Sequence, residues 1–210
     1  MIAQISLKDL EKNVYQLSVQ DGLIDLQIGV FLLTFAIIPL LSTTLGDFWS
    51  SMVFLPIWSL LYFGVREIRK KVIQPRIGAV EFGTYRKTRQ KKFNLIILIF
   101  NLLALLLGIL SFINLFDLPG WAISVRFSVI ILGGFSLAGY MMEFPRLYLY
   151  GVITALAPII GEYLFTNFHV SHHGIPITFG TISPIIILVG LVIFLRLLKQ
   201  YPVTEPEEME

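Results

Sequence analysis

Runs of about 20 apolar residues recur along the chain, and polar residues gather in the short segments between them. At about 1.5 Å of rise per residue, each run is long enough to cross a hydrocarbon core about 30 Å thick. The pattern predicts six transmembrane helices, at about 23–41, 48–65, 93–116, 122–142, 147–165 and 182–198. Ahead of the first, Leu7, Leu10, Val14 and Leu17 recur at helical spacing among Lys8, Asp9, Glu11 and Lys12. Residues 1–20 therefore read as a short amphipathic helix lying on the membrane surface. Asp21 is placed to cap the first span, with Asp25 in its first turn, where the helix dipole favours a carboxylate. Pro56 predicts a kink in the second span. A polar segment at 66–92, a loop at 166–180 and an acidic tail at 201–210 complete the pattern. The expected architecture is all-α, a polytopic helical bundle.

Composition agrees with the pattern and excludes several function classes. Of 210 residues, 56% are hydrophobic and 14% charged, well below the quarter or so that soluble domains carry. No polar segment is long enough to bury a core of its own, so any chemistry belongs to the bundle or its loops. The absence of cysteine removes disulfides, thiolate metal sites, cysteine nucleophiles and iron–sulfur clusters.

Charge gives the orientation. Ten of the 16 lysines and arginines fall between Arg66 and Lys92, against two acidic residues, Glu67 and Glu81, a net charge of +8. With six spans, Lys8, Lys12, Arg146, Arg196 and Lys199 share that side and only Arg126 is opposite. The positive-inside rule then places both termini in the cytoplasm and the protein in the cell membrane. The basic loop 66–92 should attract anionic headgroups. It carries no nucleic-acid recognition motif, and topology alone accounts for its charge, so no nucleic-acid partner is expected.

Ionisable residues inside spans are costly to insert and mark candidate sites. Glu162 leads these, near the outer end of the fifth span and just after Pro158 and Gly161, where a proline frees a backbone carbonyl and a carboxylic acid could carry a proton. Asp25 holds the matching shallow position in the first span. Arg76, Glu143 and Arg146 are expected at the same level, with Arg76 and Arg146 as contacts for a headgroup or another anion. Asn101 and Thr154 lie deeper, where polar side chains usually bond across helices. His169, His172 and His173 form the one constellation resembling transition-metal ligands, with Glu162 as a fourth donor. The histidines lack the i, i+4 spacing of a membrane metalloprotease, so the expectation is no cofactor, with a metal as the alternative.

Small residues in the fourth and fifth spans, including Gly134 with Ala138, Gly151 with Ala155 and Ala157 with Gly161, let helices approach closely. They suit a tight hairpin, or an interface with a second copy or another membrane protein.

Three stretches resemble an uncharacterised family of small multi-pass prokaryotic integral membrane proteins: Asp21-Gly-Leu23 followed by Gly29, Pro75-Arg-Ile-Gly78-x-Val80-x-Phe82, and Arg196-Leu-Leu-Lys199-x-Tyr201-Pro202. The resemblance implies a multi-pass topology and no particular activity. From the residues, the leading expectation is non-enzymatic handling of a small solute, ion or lipid, or assistance to a membrane partner. A metal-dependent hydrolase using the outer-loop histidines and a structural or regulatory subunit are the alternatives.

Overall fold

The computed structural model describes residues 20–77, 91, 94–100, 102–103, 105–106, 109 and 119–202. All regular structure among them is helical. In chain order the elements are α1 (Leu23–Leu45), α2 (Asp47–Met52), α3 (Phe54–Ile68), a π-helical turn (Arg69–Ile73), α4 (Gln74–Ile77), α5 (Gly120–Met142), α6 (Arg146–Phe168), a 3₁₀ turn (His172–Gly174) and α7 (Ile175–Gln200). Residues 94–100 are also helical. Five stretches are long and apolar enough to cross a membrane: Leu23–Leu45, Asp47–Arg76, Gly120–Met142, Arg146–Phe168 and His172–Gln200. Most of the third expected span, Asn101 included, and the amphipathic N-terminal segment lie outside the described residues, as do 78–90 and the acidic tail from 203.

The chain divides into two compact units, one of Met1–Glu81 with Ser183–Glu210 and one of Phe82–Ile182, the boundary falling within α7. In the first unit α1 opens at Gly22, whose φ of 85° is left-handed and cheapest for glycine. It closes at Gly46, φ 78°, whose N–H returns to the Ser42 carbonyl at 3.0 Å. Gly22 and Gly190 also let α1 and α7 touch backbone to backbone. A Cβ on Gly190 would stand 2.8 Å from the Leu26 nitrogen and 2.9 Å from the Gly22 carbonyl and the Asp25 Cβ. One face of α1 therefore lies against α7, burying Leu23, Asp25, Gly29 and Leu32.

Three residues before Pro56 the helix is interrupted at Val53 alone, whose dihedrals stay helical (φ −60°, ψ −26°). Helix α2 stops at Met52 and α3 begins at Phe54, which puts Pro56 in a first turn, where its missing N–H costs no helical bond. Phe31 of α1 packs edge-on against Phe54 and Trp58 of α3, with ring centroids 5.9 and 5.3 Å away. No α3 residue is buried, and Leu60 is 74% exposed. In a bilayer that surface faces lipid. The helix runs past the expected end of the span at Val65, through Arg66, Arg69, Lys70 and Lys71, to Ile77. Arginine and lysine stems long enough to reach headgroups permit this continuation.

In the second unit α5 and α6 form a tight antiparallel pair. Glu143 takes the left-handed corner at φ 54°, Phe144 is fully buried in the turn, and Pro145 precedes the first residue of α6. Gly151 lies against the Phe135 Cβ and Gly139 against Leu147 and Tyr148. These small residues are used within the chain: Gly134 meets Phe100, and Gly161 meets the backbone of Gly174. Exposed Trp121, Tyr140, Tyr148, Tyr163 and Phe168 stand near the ends of the pair, where amphipathic rings suit the membrane–water interface.

Backbone contact at Gly190 leaves no room for a branched side chain. Gly190→Val should lower the melting temperature of the purified protein in detergent, with an overpacking cost of about 1–3 kcal/mol. Gly64→Ala, where nothing lies within 4 Å of the added carbon, should leave it unchanged or raise it.

Candidate functional site

Each unit places a carboxylate near the end of a span, fully buried in one and partly in the other, within reach of a nitrogen group from a neighbouring segment. In the first unit the carboxylate is Asp21, fully buried just before α1. The residue at the cap position is Gly22, and Asp21, one place earlier, still accepts the Leu23 N–H on Oδ1 at 2.9 Å. Its Oδ2 accepts from Arg69 Nη2 at 3.0 Å. Asp25, one helical turn further on, is fully buried as well. Burial pushes the Asp21 carboxyl above its ordinary value of 3.8; the Arg69 guanidinium, the Leu23 N–H and the Arg69 hydrogen bond pull it back only in part, and Asp25 raises it further.

Arg69 was not singled out by the sequence, because the basic run after Val65 reads as a loop. Continuation of the helix into the π-helical turn that Arg69 opens places the guanidinium beside Asp21, and π-helical turns often accompany functional positions. Arg76 does not take this role; its Nη1 donates to the Val72 carbonyl at 2.7 Å, four residues back on its own segment. Asp25 and Arg76 belong to the first unit, Glu143 and Arg146 to the second. The Arg146 guanidinium sits over the Phe144 ring, 4.7 Å from its centroid, a cation–π contact that braces the α5–α6 corner.

The second unit's carboxylate is Glu162. Its Oε2 lies 2.8 Å from His173 Nδ1, and its side chain is 14% exposed, against 59% for His173. Glu162 also lies directly over Gly120, the first residue of α5, where a Cβ would collide with Oε1. The Phe165 ring lies 4.2 Å from the imidazole centroid. The link to α7 is shorter than expected, because α7 begins at Ile175 with Pro176 in its first turn. To make the turn, His169, His172 and His173 all adopt positive φ, at 54°, 53° and 49°. Each such residue costs on the order of 1–3 kcal/mol, less for His than for most, so the surrounding contacts must hold the link in place. Of the three histidines only His173 is brought to Glu162. Among the described residues no three His, Asp or Glu side chains gather as metal ligands.

Thr154 is fully buried midway along α6, and its Oγ1 has no hydrogen-bond partner. Pro158, four residues on, has no N–H to give to the Thr154 carbonyl. Ser183, in the first unit, is likewise fully buried with an unpartnered hydroxyl. An open groove of about 240 Å³ between α5 and α6 is almost wholly apolar, lined by Val125, Val129, Leu132, Val152, Leu156 and Ile159. Its one hydroxyl, on Ser128, donates to the Ser124 carbonyl at 2.9 Å. That surface offers contact with acyl chains and no chemistry.

Five helices long and apolar enough to cross a membrane suggest a class, the multi-pass α-helical membrane proteins. Compared with family models, curated proteins and solved structures, the chain finds no match.

An unpaired buried hydroxyl costs about 1–3 kcal/mol, and an isosteric methyl does not. Thr154→Val should therefore raise the unfolding midpoint in detergent, by the equivalent of about 1 kcal/mol. A lower midpoint would show that the hydroxyl is bonded in the folded protein.

Proposed function

We propose that this chain is a non-enzymatic membrane protein that handles a small ion, with Asp21, Asp25 and Arg69 as the site. It resides in the cell membrane with the Arg66–Arg76 end facing the cytoplasm. One observation carries the reading: two carboxylates, Asp21 and Asp25, are completely buried within one helical turn of each other. Carboxylates at the edge of the hydrocarbon are costly and mark ion or proton pathways more often than structural bonds. The close approach of α1 and α7 at Gly190, against the Asp25 Cβ, supports the reading by keeping bulk lipid away from that turn. Glu162 serves as a further polar anchor in the second unit. Arg66, Lys70, Lys71 and Arg76 at the basic end suit anionic headgroups, each attraction being worth about 1 kcal/mol.

The test is transport in proteoliposomes loaded with a pH-sensitive dye and driven by a proton or alkali-cation gradient. The purified chain should dissipate one of these gradients faster than protein-free vesicles. Asp25→Asn should abolish the difference, and Asp25→Glu should retain part of it. Gradients that decay at the protein-free rate in the presence of the wild-type chain would sink the proposal.

A further inference from the structure

The geometry points to a second, separate proton site: Glu162 and His173 form a clasp, operated by protonation of the imidazole, that holds the α6–α7 link closed against α6. This proposal does not depend on the function of the Asp21 and Asp25 site.

Chemistry and exposure define the two states. A carboxylate only accepts hydrogen bonds, so the 2.8 Å contact requires the proton on Nδ1 and leaves Nε2 as the imidazole's remaining basic atom. The ring is 59% exposed while the carboxylate is 14% exposed, so protons arrive from the aqueous phase at the imidazole. Proton uptake at Nε2 places a positive charge on the donor, turning a hydrogen bond from a neutral imidazole to an anion into an ion pair. Its loss weakens the side-chain bond that ties the link to α6.

The link is built to respond to that difference. His169, His172 and His173 all carry left-handed backbone, and the strain is released if the link opens. Gly161 and Gly174 meet so closely that a Cβ on Gly161 would stand 2.5 Å from the His173 carbonyl, and one on Gly174 2.6 Å from the Gly161 carbonyl. Closure is therefore a backbone-to-backbone contact, and the clasp lies at its edge. Glu162 Oε1 also lies against Gly120 at the start of α5.

Other titratable groups near the pair are few. His169 and His172 belong to the link, Tyr163 follows Glu162 on α6, and Arg126 is the only charged residue of α5. Helix α7 contributes none before Arg196, and Asp117, ahead of α5, lies outside the described residues. His173 contacts Glu162 directly.

The chain has no cysteine, so Ser171→Cys, at an exposed position in the link, accepts a single spin label. The label's mobility is read by electron paramagnetic resonance in lipid vesicles between about pH 5 and 8, the range in which imidazoles change charge. Mobility should rise as the pH rises. That change should be lost in His173→Asn, which tolerates left-handed backbone but does not titrate, and in Glu162→Gln, which has no charge to pair. A label whose mobility is flat with pH in the otherwise unaltered chain overturns the clasp. So does a pH response that persists in either variant, because His169 and His172 would then be its source.

Discussion

The hydrocarbon interior of a bilayer offers no water to hydrogen-bond, and this constraint shapes every feature of the chain. Backbone groups are satisfied within helices, and the spans are long and apolar. Asp21, Asp25 and Glu162 sit close to span ends, and Asp21 and Glu162 are each met by a nitrogen base. The exceptions fall where the constraint is locally broken. Proline at 158 frees a carbonyl, and the buried hydroxyls of Thr154 and Ser183 are left without partners.

The two carboxylate–base pairs repeat one scheme with different chemistry. In each, a carboxylate on or beside a span is held by a residue from a separate segment, so the ionic bond also ties chain elements together. Arg69 cannot release its proton, which makes Asp21 the titrating partner in the first unit. His173 can, so in the second unit the base is the switch. Glycine backs both arrangements. Gly190 admits α7 against the turn that carries Asp25, and Gly161 with Gly174 admits the link beside Glu162.

Much of this was legible in the residue pattern, for identifiable reasons. Apolar runs located the described spans because a hydrophobic stretch of that length has few alternatives. Asp21, Asp25 and Glu162 stood out because acidic residues are scarce near apolar runs. The end of a helix beyond the hydrocarbon was not legible. Arg66 to Ile77 reads as a polar loop, yet basic residues continue a helix well once their stems reach water, so Arg69 was missed. Residues 175–181 read as loop because Pro176 and Gly180 are turn formers, although proline is well suited to a helical first turn. Pairing within the histidine segment depended on left-handed backbone at three non-glycine residues, which no periodicity reveals. A hint was available in Gly161 and Gly174, whose lack of side chains permits the close approach.

The account turns on Asp21 being a carboxyl so starved of water that its guanidinium partner cannot restore ordinary acidity. A raised value in the folded state means that the share of stability linked to its proton is present in full below 3.8 and is lost as the pH rises through the folded-state value. The most direct measurement is pH-difference infrared spectroscopy of the carboxyl band, comparing the wild-type protein in lipid with Asp21→Asn. The account predicts a band that titrates above the ordinary aspartate range in the wild-type protein and is missing from Asp21→Asn. Identical titrations, with every carboxyl in the ordinary range, would contradict it.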